Sequence, residues 1–153
     1  MAIDPTDLEP RNPAQPFQIR RGTQDDHTFV YSATARTLRS SPYYSSLPQE
    51  TYGVVIDEAL RSRLAHPDWL LWIAFPTERP SEISGFILSN GLAVASIYVR
   101  SEYRRRGVGR MLLDAAGVAA RPGDRLRAVL GSAKAFWLAR QKGLAVQFSP
   151  YFI

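Results

Sequence analysis

A strand-like run leads into an arginine- and glycine-rich turn and then into an apolar helix over residues 96–113. The centre of this segment reads Arg104-x-x-Gly107-x-Gly109. The first N–H groups of a helix have no partner within the helix and carry partial positive charge, so they attract anions. Glycines keep side chains from blocking a phosphate, and the neighbouring arginines add charge. The segment therefore predicts an anion cradle that suits a pyrophosphate.

The net charge of +5 is distributed unevenly along the chain. Residues 100–153 carry 11 basic and 3 acidic side chains, whereas residues 1–99 carry 8 basic and 11 acidic ones. A local positive field favours a phosphate-bearing partner: a nucleotide cofactor, a nucleic acid or an anionic membrane face. A solvated arginine-rich surface is the plainer alternative. A Rossmann site fits poorly, because Asp124 falls in a Pro-Gly turn rather than on a second strand. A Walker loop is excluded, since the chain has no Gly-Lys-Ser/Thr.

Composition excludes several classes of protein. The chain has 153 residues, is 45% apolar and contains no cysteine, which indicates one globular domain without disulfides, thiolate metal sites or a cysteine nucleophile. Its two histidines, His27 and His66, predict no metal site. Residues 1–16 are proline-rich and lack a signal-peptide pattern, and no apolar run is long enough to span a bilayer. We therefore expect a cytoplasmic protein, without membrane contact, in which a flexible N-terminal tail (1–16) precedes a single domain (17–153).

Apolar spacing and capping residues predict four helices. The residues from Thr23 to Asp26 form a capping pattern for a helix over residues 27–38. Ser46 and Gln49 form a second capping box before a helix that ends ahead of Pro67. The other two helices are predicted over residues 108–120 and 132–142.

Six strand-like runs accompany these helices, and Asn90-Gly91 marks a hairpin between two of them. The element order is β α α β β β α β α β. This order predicts an α/β fold with a central mixed sheet and helices on both faces. The predicted strands cover residues 17–21, 69–75, 83–89, 92–99, 126–130 and 145–153.

The run VRSEYRRRGVGRMLL at residues 99–113 resembles the acetyl-CoA-binding motif, Arg/Gln-x-x-Gly-x-Gly/Ala, of the GCN5-related N-acetyltransferase (GNAT) family. The element order from residue 17 onward is also similar to that of the family. The resemblance implies a GNAT-like acyl-CoA N-acyltransferase fold and acetyl-CoA (coenzyme A) as cofactor. It implies that the backbone of Ile97, Tyr98 and Val99 pairs with the pantetheine arm, between strands that splay apart. It assigns six residues to the pyrophosphate, namely Arg104, Arg105, Gly107, Val108, Gly109 and Arg110.

The chain departs from the family pattern near its C-terminus, where many members carry Asn-x-x-Ala-x-x-x-Tyr-x-x-x-Gly-Phe. Aligned on Gly143, Ser132 takes the place of the Asn that contacts the cofactor, and Ala139 that of the Tyr that protonates the leaving thiolate. Ser132 retains a hydroxyl for the cofactor or for catalysis. Tyr98 and Tyr151 are the candidate catalytic acids in place of the missing tyrosine, because a phenol has a pKa of about 10 and can protonate a thiolate. Ordinary packing is the alternative for each tyrosine.

The sequence shows no clear general base. The strand over residues 92–99 contains no acid, and Glu82, which opens the preceding strand, is expected to be exposed. Tyr103, inside the turn, is expected to be a packing residue.

The segment RSSPYYSS at residues 39–46 lies in the region that shapes the acceptor site in this family. Ser41, Tyr43 and Tyr44 are therefore candidate substrate-binding residues, with an ordinary helix–helix loop as the equal alternative. This stretch and the ending SPYFI also faintly resemble small phage-encoded members of the family, some of which act on DNA bases.

These features predict an acyltransferase, more narrowly an acetyl-CoA-dependent N-acetyltransferase. A small or macromolecular amine acceptor attacks the thioester directly, and the N–H of Val99 polarises its carbonyl. One alternative is a DNA base-modification enzyme whose basic half contacts nucleic acid, with steep salt dependence. The other is a non-catalytic acyl-CoA-binding module, which Ala139 favours. A monomer and a homodimer both fit the sequence.

Overall fold

The computed structural model of the chain describes residues 15–118, 125–128 and 145–148, and six strands lie within these ranges. They are β1 (Phe17–Arg21), β2 (Leu70–Pro76), β3 (Gly85–Ser89), β4 (Ala93–Val99), β5 (Arg125–Ala128) and β6 (Ala145–Phe148). All six form one sheet in the order β1-β2-β3-β4-β5-β6. Neighbours from β1 to β4 are antiparallel, whereas β4, β5 and β6 run parallel to one another. The sheet is therefore mixed, as predicted.

Four helices lie in the described residues: α1 (His27–Arg39), α2 (Pro42–Ser45), α3 (Gln49–Ala65) and α4 (Val108–Ala115). The capping pattern predicted before α1 is confirmed, because the N–H of Thr23 donates to Asp26 Oδ2 at 2.7 Å. Short apolar runs bounded by turn residues locate the strands, and β2, β3 and β4 begin and end within two residues of their predicted bounds.

Two expectations for the connection between α1 and α3 are wrong. The segment predicted as a loop contains the single turn α2, since a proline at its first position has the backbone φ that a helix needs. Ser46 is not the N-cap residue of α3 either. Pro48 occupies the N-cap position of α3, and its carbonyl accepts from the N–H of Tyr52 at 2.9 Å.

The helix α4 is shorter than the predicted 108–120. Gly117 adopts a left-handed φ of +66°. The N–H of Gly117 donates to Asp114 O and that of Val118 to Leu113 O, both at 3.1 Å. This pair of bonds is a Schellman motif, which ends a helix where glycine can take the left-handed conformation.

A β-bulge interrupts β4. Ser89 pairs with Val94 and Leu88 with Ser96, so Ala95 is an extra residue opposite β3. The bulge reverses the alternation of side chains along the strand. As a result Tyr98 packs against the same core as Ala93, and Ile97 against the other.

Two apolar cores lie on opposite faces of the sheet. On one face α1 and α3 cover residues such as Ile73 and Phe86. On the other face α4 covers their strand neighbours Ala74 and Ile87. Both cores contain side chains with no solvent exposure, and they confirm the prediction of helices on both faces of the sheet.

The predicted helix over 132–142 and the outer ends of the last two predicted strands lie outside the described residues. Among the described helices, none combines the length and the apolar composition that a bilayer-spanning segment requires.

Candidate functional site

The turn that follows β4 begins where the sheet ends. The N–H of Arg100 still continues the ladder by donating to Ser84 O at 2.9 Å. Residues Ser101–Tyr103 then form one 3-10 turn, in which the N–H of Tyr103 donates to Arg100 O at 2.9 Å. The chain reaches α4 through residues 104–107. The predicted strand–turn–helix arrangement is therefore present.

Two residues of this turn have a left-handed backbone, Arg105 with φ +64° and Gly107 with φ +83°. The N–H groups of residues 105–107 donate no hydrogen bond to any atom of the described residues. Left-handed residues turn successive N–H groups towards a common side, which creates an anion-binding concavity. The second left-handed residue, Gly107, is also the N-cap of α4, so the turn ends at the positive end of the helix.

The two glycines of the turn have different surroundings. Gly107 has open space where a Cβ would lie, so the positive φ alone accounts for the glycine. Gly109 has no positive φ, and a Cβ built there would lie 3.9 Å from Val99 Cγ2, which is an ordinary contact. The fold therefore does not require a glycine at 109. Because glycine has no side chain, no group projects from the first turn of α4 at this position.

The arginines of the turn divide into one that is tied to the backbone and others that are not. Arg104 Nε donates to Val99 O at 2.8 Å, and its guanidinium carbon lies 5.8 Å from the centre of the Tyr98 ring. Arg105, Arg106 and Arg110 are exposed. Within the described ranges none of these three forms an ion pair. Their charge is therefore available to an anion at the turn.

The predicted strand residues lie at the C-terminal end of β4 and are half-buried. Ile97 and Val99 pack on the α4 side of the sheet. Tyr98 packs on the other side, where its ring centre lies 6.2 Å from that of Phe29 and 6.1 Å from that of Phe86. Its hydroxyl has no hydrogen-bond partner in the described part of the chain. The ring thus belongs to the rim of a core, and its hydroxyl is left without a hydrogen bond to the described residues.

A carboxylate next to the turn has three partners. Glu82 Oε1 accepts from the Tyr103 hydroxyl at 2.6 Å and from Arg100 at 3.3 Å, and Glu82 Oε2 lies 3.2 Å from Arg79 Nε. Arg79 also donates to the Tyr103 hydroxyl at 3.0 Å. The bond to Glu82 raises the pKa of the Tyr103 phenol above its usual range. We call Glu82, Tyr103, Arg79 and Arg100 the Glu82 cluster.

The Glu82 cluster corrects one expectation and supports another. The Glu82 side chain is only 25% exposed and fully engaged, so its predicted exposure is wrong. Tyr103 is buried and stands edge-on to the Phe17 ring at 5.5 Å, as expected of a packing residue. Sequence analysis missed the cluster because its acid and its phenol are 21 residues apart, and no short motif joins them.

The structure describes the side chains of two of the three residues predicted to bind an acceptor. Tyr44 is 2% exposed and its ring packs against Tyr52, so it lies in the core, and a contact with the acceptor stays a prediction. The apolar environment of the α1–α3 core takes up its ring. Ser41 is half-buried, directly before α2. Arg39 fixes this connection by donating to Tyr44 O at 3.1 Å and to Leu47 O at 3.0 Å.

Several predicted site features fall outside the described residues. These are Ser132, Tyr151, the side chain of Tyr43 and the continuation of β5. β4 pairs with β5 at Ala93 and Val94, and the strand splay expected beyond them is not covered by the described ranges. Among the residues that the structure describes, no group of His, Cys, Asp or Glu side chains suits a metal ion. His66 accepts from the N–H of Asp68 at 3.1 Å, a local turn contact.

Comparisons with known proteins agree with this geometry. The model of a family described as "Acetyltransferase (GNAT) domain" matches residues 68–148, more than half of the chain. This match begins just before β2 and ends with β6, so it includes the turn and α4. Among proteins with curated descriptions, none matches the sequence.

Solved structures with the same fold include two from clostridia. A predicted acetyltransferase with acetyl-CoA from Clostridium acetobutylicum is 14% identical, with a TM-score of 0.56 over 90% of this chain and 94% of that chain. A "possible acetyltransferase" from Clostridium difficile 630 is 13% identical, with a TM-score of 0.53 over 91% and 97%. At these identities the likeness is one of fold alone.

A third similar structure, YjaB from Escherichia coli, is 24% identical and has a TM-score of 0.48. The alignment covers 67% of this chain and 65% of YjaB, so the chain spans less than two thirds of the length of that relative.

Proposed function

Since the chain belongs to the GNAT acetyltransferase family, we propose that it is an acetyl-CoA-dependent N-acetyltransferase. Enzymes of this family use acetyl-CoA as the acetyl donor. The observation that carries the proposal is the turn before α4, which contains two left-handed residues. The N–H groups of residues 105–107 in this turn have no partner among the described residues. A nucleotide pyrophosphate is the ligand that this arrangement fits.

The cofactor would be held by the residues predicted for it. The N–H groups of the turn and of the first turn of α4, at Val108 and Gly109, face the phosphates, and Arg104, Arg105 and Arg110 supply charge around them. The backbone of β4 at residues 97–99 lies beside the pantetheine arm. The absence of a side chain at Gly109 supports this placement, because the fold itself does not require a glycine there.

The bound cofactor supplies the acetyl thioester, and the amine acceptor attacks its carbonyl carbon. A C–N bond forms, the C–S bond breaks, and the amine loses one proton while the thiolate of coenzyme A gains one. The protein accelerates this step by orienting the two reactants and by donating the N–H of Val99 to the developing oxyanion. The phenol of Tyr98 is the described candidate for protonating the thiolate. Tyr151 stays a prediction for the same role, and Ser132 stays a prediction as a hydroxyl that hydrogen-bonds at the cofactor or in catalysis.

The acceptor is proposed to bind near the connection between α1 and α3, with Ser41 and Tyr43 as contacts. An amine on a small molecule or a macromolecule fits the reaction equally. The alternative acceptor, a base in nucleic acid, predicts a complex whose affinity falls steeply with salt. The single domain over residues 17–153, the flexible tail and a monomeric or homodimeric state are also predictions. Light scattering measures the last of these directly.

Calorimetry with acetyl-CoA tests the proposed cofactor site. We expect a micromolar dissociation constant for the wild type and no detectable binding for the Gly107→Glu, Gly109→Glu double variant, because the added carboxylates fill and charge the cradle. Gly53→Glu is the matched control, since Gly53 is exposed on α3 with open space around it and lies far from the turn in sequence. Wild-type protein that releases no heat and gains no thermal stability with acetyl-CoA would contradict the proposal.

A further inference from the structure

The turn at residues 100–107, here called the cofactor turn, contains few backbone hydrogen bonds of its own. After the ladder bond of Arg100, its backbone hydrogen bonds before α4 are Tyr103 N–H to Arg100 O at 2.9 Å and Arg104 N–H to Ser101 O at 3.4 Å. The N–H groups that follow are left open for a ligand. A turn with so few internal bonds does not hold a left-handed non-glycine residue such as Arg105 by itself. Side-chain contacts must therefore supply the remaining rigidity.

Tyr103 supplies the anchor on the side of the sheet. Its ring is 5% exposed and meets the ring of Phe17 on β1 edge-on. Its hydroxyl fixes the orientation of the side chain by donating to Glu82 Oε1 at 2.6 Å, a distance typical of a strong hydrogen bond to a carboxylate. Because Arg104 follows Tyr103 directly, fixing this side chain also fixes where the turn starts.

Glu82 belongs to a different part of the chain, the connection between β2 and β3. That connection is folded on itself, since the N–H of Glu82 donates to Arg79 O at 3.0 Å. The carboxylate reaches both ends of the 3-10 turn, Arg100 on one side and Tyr103 on the other. It thus joins the β2–β3 connection to the cofactor turn at two points.

The arginines of this region fall into two groups, those paired with Glu82 and those that are not. Arg79 and Arg100 both form ion pairs with Glu82, and Arg100 forms a second one with Glu102 at 2.7 Å, so two carboxylates balance the two guanidiniums. Arg105, Arg106 and Arg110 stay unpaired among the described residues, as shown above. An anion at the turn therefore meets the second group rather than the first.

We propose that Glu82, acting through Tyr103 and Arg100, is a positioning residue that holds the turn in the conformation that receives the cofactor diphosphate. This inference rests on the proposed function for the identity of the ligand. It does not require Glu82 to touch the cofactor or the acceptor. Its effect is confined to the phosphate end of the ligand, because the pantetheine arm is proposed to follow β4, whose pairing with β3 holds it in place.

Two substitutions, made singly and together, test this role beside one control. Glu82→Gln keeps the shape but removes the charge, and Tyr103→Phe keeps the ring but removes the donor. Asp57→Asn is the matched control, since Asp57 also pairs with an arginine at 2.9 Å but does so on the exposed face of α3. Binding is measured with acetyl-CoA and with S-acetylpantetheine, which lacks the diphosphate. Hydrogen exchange of the hydrogen-bonded amides of Arg100, Tyr103 and Arg104 is measured on the ligand-free protein.

We expect Glu82→Gln and Tyr103→Phe each to weaken acetyl-CoA about tenfold, with the double variant little weaker than either, since both break one linkage. S-acetylpantetheine should bind all variants alike. The amides of Arg100, Tyr103 and Arg104 should exchange faster in the two cluster variants than in Asp57→Asn. Unchanged exchange in Glu82→Gln, or equal losses for both ligands, would overturn the positioning role. Wild-type protein that fails to bind acetyl-CoA contradicts the proposed function instead, and the exchange result still decides whether Glu82 rigidifies the turn.

Discussion

At the scale of single residues, the two glycines of the turn show that one motif can serve two physical needs. Gly107 has φ +83°, a conformation that costs other residues energy whatever the space around them. Gly109 lies in the ordinary helical region and has room for a Cβ. The motif predicts that both glycines serve the anion site. Only the structure distinguishes Gly107, which the backbone conformation requires, from Gly109, which leaves space for a ligand.

Replacing each glycine by alanine should separate folding from binding. Gly107→Ala should lower the free energy of unfolding by about 1–2 kcal/mol, because alanine disfavours the left-handed conformation. Gly109→Ala should leave stability unchanged or raise it by up to about 1 kcal/mol, since alanine favours helix. The same variant should weaken acetyl-CoA about tenfold or more. Urea titration and calorimetry measure the two effects, and full affinity in Gly109→Ala would contradict a phosphate contact there.

Asp26 makes the acid stability of the protein testable. Its carboxylate is buried and accepts two bonds of 2.8 Å from Arg20, and these bonds hold its pKa below the ordinary value. A lowered folded pKa means that the stabilisation is complete above the unfolded pKa, about 3.9, and is lost as the pH falls through the folded pKa.

Comparison of the wild type with Asp26→Asn should therefore depend on pH. At pH 7 the variant should be less stable by about 2 kcal/mol, because it loses a charged partner of Arg20 and part of the cap before α1. The difference should begin to shrink below about pH 5. Urea titrations across this range measure it. A difference that stays constant down to pH 2 would show that the ion pair does not contribute.

At the scale of elements, apolar periodicity locates most of the structure but not its irregularities. β1 has the predicted bounds, since its short alternating run ends at a Gly. The end of α4 was missed because the residues around Gly117 are apolar and small, as a continuing helix would be. The bulge at Ala95 was missed as well, because it changes the pairing of β4 without any change in composition.

The candidate site shows the same division. Local sequence predicts the turn, since its motif and the helix behind it are contiguous. The burial of Tyr44 and the Glu82 cluster depend on contacts between distant segments, which one sequence does not display.

The contact between α1 and β4 is a hydroxyl pair that can be measured as a coupling. Thr34 Oγ1 and Ser96 Oγ lie 2.9 Å apart, and both residues are buried next to the bulge. Thr34→Val or Ser96→Ala alone leaves one buried hydroxyl without its partner, which should cost about 1–2 kcal/mol. The double variant should cost less than the sum of the two. Strictly additive losses in urea titrations would show that the two hydroxyls do not interact.

At the scale of the whole molecule, the net charge is +5, and ion pairs determine which arginines carry positive charge without a nearby carboxylate. Arg20, Arg61, Arg79 and Arg100 each have a carboxylate partner. The arginines at 105, 106 and 110 have none among the described residues, and they are close together in sequence at the start of α4. These three guanidiniums therefore give the proposed diphosphate site a positive field, which also acts on a ligand in solution.

This field should make acetyl-CoA binding depend on salt through a few identified side chains. Raising the ionic strength from about 0.01 M to 1 M shortens the screening length from about 30 Å to 3 Å, so affinity should fall about tenfold or more. Arg106→Gln and Arg110→Gln should lower affinity at low salt and flatten this dependence. Arg36→Gln, an exposed arginine of α1, is the control and should change neither. Calorimetry at several salt concentrations compares them, and equal slopes in all four proteins would place the diphosphate away from the turn.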